Sequence, residues 1–579
     1  MKKLLSYLKL YKKECVLGPL FKLLEASFEL LIPLVVADII DVGIPSGDNG
    51  YIIRRAIIMA ALGLVGMLFS ITAQYFSAKA AVGVAATLRH ELFSHIQALS
   101  YSRSQTIGSA TLLTRVTSDV NQVQTGVNLT LRLFLRSPFI VFGAMIMAFT
   151  VNVRAALIFV VTIPLLALVV YGVMKVTTPL YKQVQNKLDR VLNKTRQNLT
   201  GVRVIRAFNR EESELEDYRK ENEELTQMQL RVGKISALMN PLTLFIVNAA
   251  TAVLIYYGAI RVNVGGMTQG QVVALVNYMT QILTELIKFA NLIVSISKAV
   301  ASADRLQDIL EEKTGMEIIA DTSDPKAAHD YLTFDHVSLR YPNAGAESLS
   351  DINFSVKRGQ MLGIIGGTGS GKSSVVSLIP RFFDVTSGAV LVDGHDVRAM
   401  QTADLRSRIG LVPQKAVLFK GTIRSNMQIS APEADETAMW DALRVAQAED
   451  FVRAKDGGLD AAVAQEGRNF SGGQRQRLTI ARALVRKPEL LILDDSASAL
   501  DYVTDANLRR AIREADPNMT VVIVSQRTAS VRFCDEILVL DDGRAVGLGT
   551  HDGLLESCPV YREIYESQFK KETVNAEEA

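Results

Sequence analysis

Eight residues constrain the C-terminal half of the chain more tightly than any other stretch: Gly366-Gly367-Thr368-Gly369-Ser370-Gly371-Lys372-Ser373. They follow the apolar run Met361-Leu362-Gly363-Ile364-Ile365 and precede Val375-Val376-Ser377-Leu378-Ile379, which reads as the start of a helix. Strand, glycine-rich loop and helix in that order make a phosphate-binding loop. The glycines let successive N–H groups converge on an anion, and the helix N-terminus adds positive potential. Lys372 is placed to reach terminal phosphates, Ser373 to hold Mg²⁺, and Ser374 follows it in the same turn.

At 579 residues the chain is too long for a single core, and at least two domains are expected. Its mean hydropathy is +0.19 and 49% of its residues are hydrophobic, on the apolar side of a soluble nucleotide-binding protein. Part of it must therefore lie in a lipid bilayer. With 63 basic and 60 acidic residues the charge nearly balances, which leaves no long-range field for nucleic acid, and no such partner is expected. Cys15, Cys534 and Cys558 are too scattered for a disulfide framework or a metal cluster and read as reduced thiols.

Residues 4–14 alternate Lys with Leu and Tyr, the pattern of a short helix lying in the cytoplasmic membrane surface. Six segments then have the apolar length of about 20 residues that a bilayer demands: 16–40, 57–75, 134–153, 155–176, 242–260 and 272–296. Short loops join them in pairs. Long polar stretches without Pro/Gly clusters separate the second span from the third and the fourth from the fifth, and these read as helices continuing beyond the bilayer. The later stretch, with Lys182, Lys187, Arg190 and Lys194, is expected in the cytoplasm, and an even number of spans puts both termini there.

Charges inside spans usually face a cavity or a partner. Lys22, Glu25 and Glu29 lie on one face of the first span, and Glu285 with Lys288 repeats the spacing in the sixth. Left unpaired, Glu25 and Glu29 would favour cationic amphipathic compounds; the alternative is a structural ion pair. Residues 311–330, with Asp321, Asp324, Pro325 and Lys326, lose periodicity and read as a linker. Beyond them, runs at 361–365, 390–392, 490–493, 521–524 and 537–540 alternate with helices, the signature of an α/β domain around a largely parallel sheet. The expected domains are thus a membrane domain over 1–310, the linker, and a nucleotide-binding domain over 331–579.

Leu490-Leu491-Ile492-Leu493-Asp494-Asp495 is an apolar run ending in carboxylates, which places Asp494 at a strand's C-terminal end where it can support Mg²⁺. Between this run and the phosphate loop stands Asn469-Phe470-Ser471-Gly472-Gly473-Gln474-Arg475-Gln476-Arg477, followed by a helical run. This stretch resembles the signature motif of ATP-binding cassette (ABC) proteins, and the whole chain resembles their exporter class. The resemblance implies a six-helix membrane domain with cytoplasmic extensions fused to a cytoplasmic α/β ATPase domain in the cell membrane, with ATP and Mg²⁺ as cofactors. It also implies that Ser471, Gly472, Gly473 and Gln474 face the ATP held by a second half-transporter. Tyr341 matches the aromatic that stacks on adenine, Gln414 the glutamine that approaches Mg²⁺, and Asp501 the loop that communicates across the dimer.

Two departures stand out from this resemblance. Competent family sites carry Glu after the Mg²⁺ aspartate, where this chain has Asp495, and His where it has Gln526. Losing one methylene retracts the carboxylate by roughly 1 Å, which can cost about 10²-fold in rate, and glutamine does not serve as a switchable cation. The signature is intact apart from Phe470. The combination resembles the degenerate-site subunit of heterodimeric bacterial multidrug exporters, moving amphipathic small molecules from the cytoplasm or inner leaflet. A lipid or peptide exporter, or a regulatory ATP-binding membrane subunit, is the alternative.

Overall fold

The computed structural model describes residues 6–320, 330–342 and 344–577, with side chains to 569. The linker residues Asp321, Asp324, Pro325 and Lys326 lie outside the described residues. The chain divides into two compact units, one running to Leu99 and from Ile107 to Thr314, the other comprising Ser100–Thr106 and the chain from Gly315 onward.

The first unit is helical: α1 (Lys12–Asp38), α2 (Asn49–Ala98), α3 (Val120–Leu129), α4 (Arg136–Val151), α5 (Val153–Thr200), α6 (Glu211–Ala237), α7 (Met239–Asn263) and α8 (Gln269–Glu311). Asp48 starts α2 by accepting from the Tyr51 N–H, and Asn152 starts α5 by accepting from Ala155, which explains how so short a loop reverses the chain. Thr268 and Gln271 form a reciprocal cap on α8.

Among the described residues five helical stretches are long and apolar enough to cross a membrane: Asn49–Ala98, Ser109–Val151, Val153–Thr200, Glu211–Asn263 and Gln269–Glu311. They contain the second to sixth of the expected spans. The first expected span, 16–40, lies largely in helix α1, which runs through Lys12–Asp38 and carries Lys22, Glu25 and Glu29. The five stretches are 43 to 53 residues long, so at 1.5 Å per residue they reach about 65–80 Å, more than twice the bilayer's hydrocarbon thickness. The core of this unit joins Ala26 and Leu30 of α1, Ile140 and Ala144 of α4, Phe159 of α5, and Leu275, Tyr278 and Ile282 of α8.

The second unit holds strands β1 (Leu332–Leu339), β2 (Leu349–Val356), β3 (Met361–Gly366), β4 (Ser387–Val392), β5 (His395–Asp396), β6 (Ile409–Val412), β7 (Leu490–Asp494), β8 (Thr520–Val524), β9 (Glu536–Asp541) and β10 (Arg544–Gly549). A six-stranded sheet has the order β10-β9-β3-β8-β7-β6, parallel except at the β9–β10 edge. The run at 390–392 belongs elsewhere: β4 lies in a separate four-stranded antiparallel sheet of order β2-β1-β4-β5. The principal helices around the large sheet are α9 (Lys372–Leu378), α10 (Gly472–Leu484), α11 (Tyr502–Ala515), the short α12 (Thr528–Val531) and α13 (Pro559–Glu577). Strands β3, β7 and β8 are buried along nearly their whole length, as strands covered on both faces must be.

Candidate functional site

Parallel register brings the key residues to one edge. Val524 pairs with Ile364 of β3 on one side and with Asp494 of β7 on the other, so the loop after β3, the carboxylates after β7 and Gln526 after β8 emerge together at the C-terminal ends of neighbouring strands. There they line a cleft of about 460 Å³ with Thr368, Gly369, Gly371, Lys372, Ser373, Ser374, Gln414, Asp494, Asp495 and Gln526. This volume falls in the ordinary range for small-molecule sites. Gly366 closes β3, Gly367 follows it exposed, and the buried Ser370 lies beneath the loop. Gly371 has φ +96° as the cap of α9, and a Cβ there would lie 2.7 Å from Leu349 Cδ2, so this turn requires glycine.

Lys372 is buried, and its Nζ donates to the Gly366 and Gly367 carbonyls at 2.8 and 2.6 Å. Burial holds its ammonium below the usual lysine range, against the opposing pull of Asp495 and Asp494. Burial and the Asp495 charge push the Asp494 carboxyl up, opposed by a hydrogen bond with Ser373 and by Lys372. Asp495 sits in the left-handed region at φ +47° and accepts from Gln414 Nε2 at 3.2 Å. Two carboxylates, a serine hydroxyl and an amide are the oxygen-rich set that suits Mg²⁺, and the glycine loop with its amine suits phosphates. The residues present therefore fit a magnesium nucleotide.

Tyr341 donates its hydroxyl to Ser374 Oγ at 2.9 Å and meets Phe383 edge-on at 4.9 Å, which fixes the ring beside the phosphate loop. The signature residues are apart from this cleft. Ser471 is the N-cap of α10, accepting from the Gln474 N–H at 3.3 Å while Gln474 Oε1 accepts from the Ser471 N–H at 3.1 Å. Gly472 and Gly473 form the first turn, and Phe470 anchors it in the core. Gln474 is thus engaged in capping. Asp501 caps α11, accepting from the Thr504 N–H and hydroxyl at 2.9 and 2.8 Å. Sequence reading missed Glu347, Ser348, Asp542 and Gly543, which complete the cleft's rim. The Asp541-Asp542-Gly543 turn was the available signal.

In the first unit the five acidic and basic residues singled out from the spans are all paired. Glu25 pairs with Lys22. Arg136, which the sequence reading passed over although it lies within a predicted span, bridges Glu285 at 2.6 Å and Glu29 at 2.7 Å. Ser137 and Lys288 complete the shell of Glu285 at 2.8 and 2.9 Å. The condition for attracting cations, unpaired Glu25 and Glu29, is not met.

Comparison with known proteins places this architecture. Residues 15–286 match the family model of the ABC transporter transmembrane region, and residues 349–498 match that of the ABC transporter. The chain belongs to the ABC transporter family: it is an ABC exporter, a multi-pass membrane protein with an ABC ATPase domain, of the class of ATP-hydrolysing transporters. An uncharacterized ABC transporter ATP-binding protein of Mycobacterium tuberculosis is 36% identical over 98% of both chains, and YfiB of Bacillus subtilis, also uncharacterized, is 34% identical over 99% of both. The ATP-dependent lipid A-core flippase of Escherichia coli K12 is 28% identical over 96% of both. A solved bacterial Atm1-family ABC exporter with ATP bound shares the fold, with a TM-score of 0.80 over 96% of this chain and 98% of the other at 22% identity.

Proposed function

We propose that this chain is one half of a heterodimeric exporter of amphipathic compounds, holding ATP at a site that hydrolyses poorly and lending its signature helix to a partner's competent site. The observation that carries this reading is the pair Asp495 and Gln526 in the same cleft. In competent members of the family a glutamate orients the attacking water. Asp495 is a methylene shorter, and its carboxylate accepts from Gln414 Nε2. Gln526 offers hydrogen bonds but no imidazole to carry a proton.

In this reading Tyr341 stacks on adenine, and residues Gly366 to Ser374 wrap the phosphates. Ser373, Asp494 and Gln414 hold Mg²⁺. Bound MgATP supplies the phosphoanhydride whose cleavage drives the cycle. Ser471, Gly472 and Gly473 present the α10 N-terminus, with its unpaired N–H groups, to nucleotide on the partner, while Gln474 holds that turn in shape and Asp501 braces the interface. Both termini lie in the cytoplasm of a cell-membrane transporter, and closure of the two ATPase domains switches the cavity between inward-open and outward-open. A lipid cargo is the second reading, favoured by the 28% identity to a lipid A-core flippase.

The test is ATP-dependent uptake of a fluorescent amphiphile into inverted membrane vesicles. Uptake is expected when a half-transporter carrying Glu and His at the two altered positions is co-expressed, and not with this chain alone. Uptake that needs no partner would overturn the heterodimer assignment.

A further inference from the structure

The loop bearing Gln526 is held from an element that no nucleotide contact uses. Gln568 lies on the C-terminal helix α13, and its amide makes three bonds to that loop. Its Oε1 accepts from the Thr528 N–H at 2.9 Å and from the Thr528 hydroxyl at 2.8 Å, and its Nε2 donates to the Gln526 carbonyl at 2.8 Å. The amide orientation is forced, because the reverse would set donors against the Thr528 N–H and oxygen against the Gln526 carbonyl. Thr528 is fully buried.

Other anchors hold the flanks. The Ser525 N–H donates to Ile364 of β3 at 3.1 Å, Ser525 Oγ accepts from the Arg527 N–H at 2.9 Å, and Arg509 donates to the Ala529 and Ser530 carbonyls at 3.1 Å. The Gln526 side chain differs from all of these. It is exposed on the cleft and makes no hydrogen bond among the described residues. Its backbone is fixed while its side chain is free, so the direction in which it projects is set by whatever grips residues 526 and 528.

We infer that Gln568 is a positioning residue for the nucleotide site: from α13 it fixes the backbone at 526 and 528, and through them the reach of the residue-526 side chain toward the terminal phosphate. The inference rests on the assignment of Gln526 to that site made above. It gives α13 a function beyond packing, since moving the helix would release the loop without touching any nucleotide-binding side chain.

The test uses the full chain in lipid nanodiscs, with hydrogen exchange of the nucleotide-free protein and binding of a fluorescent ATP analogue. Gln568→Ala should speed exchange at the Thr528 amide about five- to tenfold, leave β3 unchanged, and weaken the analogue severalfold. Gln568→Glu keeps both acceptor bonds from Thr528 but loses the donor to the Gln526 carbonyl, so it should preserve Thr528 protection while still weakening the analogue; it also carries the test if the alanine variant misfolds. Because the effect passes through residue 526, Gln568→Ala should add nothing to Gln526→Ala in a double-mutant cycle. Unchanged exchange and affinity in both Gln568 variants, or additive effects with Gln526→Ala, would overturn the inference alone. A Gln526→Ala variant that binds the analogue like the parent chain would instead bring down the assignment of Gln526, and this inference with it.

Discussion

Two charge clusters of this molecule are built on opposite plans. In the helical unit, Glu25, Glu29 and Glu285 each meet a cation, and Glu285 is enclosed by Arg136, Ser137 and Lys288. In the nucleotide cleft, Asp494 and Asp495 stand side by side at the end of β7 while the nearest amine, Lys372, bonds loop carbonyls. Each holds buried charge, Arg136 and Glu285 in the first and Lys372 in the second, so burial does not mark a ligand site. What separates them is compensation: the first cluster is complete as it stands, whereas the second leaves negative charge for a cation and N–H groups for an anion.

The largest expected effect attacks the complete cluster. Arg136→Ala leaves Glu285 buried without its main partner and should cost about 3–5 kcal/mol in chemical unfolding of the detergent-solubilised chain; adding Glu285→Gln should recover part of it. An unchanged midpoint would show that the network contributes no stability. Next comes the incomplete site. Asp495→Glu with Gln526→His should raise ATP turnover at this site by up to about 10²-fold, and no gain would mean that other elements disable it.

A smaller effect, of opposite sign in stability, distinguishes the clusters most cleanly. Asp494→Asn should weaken Mg²⁺-dependent nucleotide binding about tenfold or more, yet raise the melting temperature of the nucleotide-free chain by relieving repulsion with Asp495. The pH dependence follows from the same carboxyl. Its folded pKa lies above the ordinary aspartate value, so its contribution to stability is present at low pH and is lost as pH rises through the folded value. Magnesium-nucleotide affinity should run the other way and grow over that interval, because the cation competes with the proton. Titration of affinity and melting temperature together checks both signs.

The nucleotide cleft was largely legible because its parts are local. A phosphate loop and an apolar strand ending in aspartate each announce themselves within about ten residues, and parallel-sheet topology brings them together. The four-stranded antiparallel sheet was not separated, since the run at 390–392 looks the same in either sheet. Helical spacing exposed the pairs Lys22–Glu25 and Glu285–Lys288, three residues apart on one helix. It gave no hint that Arg136 joins α4 to α1 and α8, because a bridge between Arg136 and Glu285, 149 residues apart, has no period. Gln568 escaped for the same reason: 40 residues from Thr528, it belongs to no motif.

The most direct measurement is steady-state ATP hydrolysis by this chain purified alone in lipid nanodiscs, beside its Asp495→Asn variant. A degenerate site predicts turnover close to background in both, because every site that two copies of this chain form would carry Asp495 and Gln526. Vigorous hydrolysis that disappears in Asp495→Asn would contradict it.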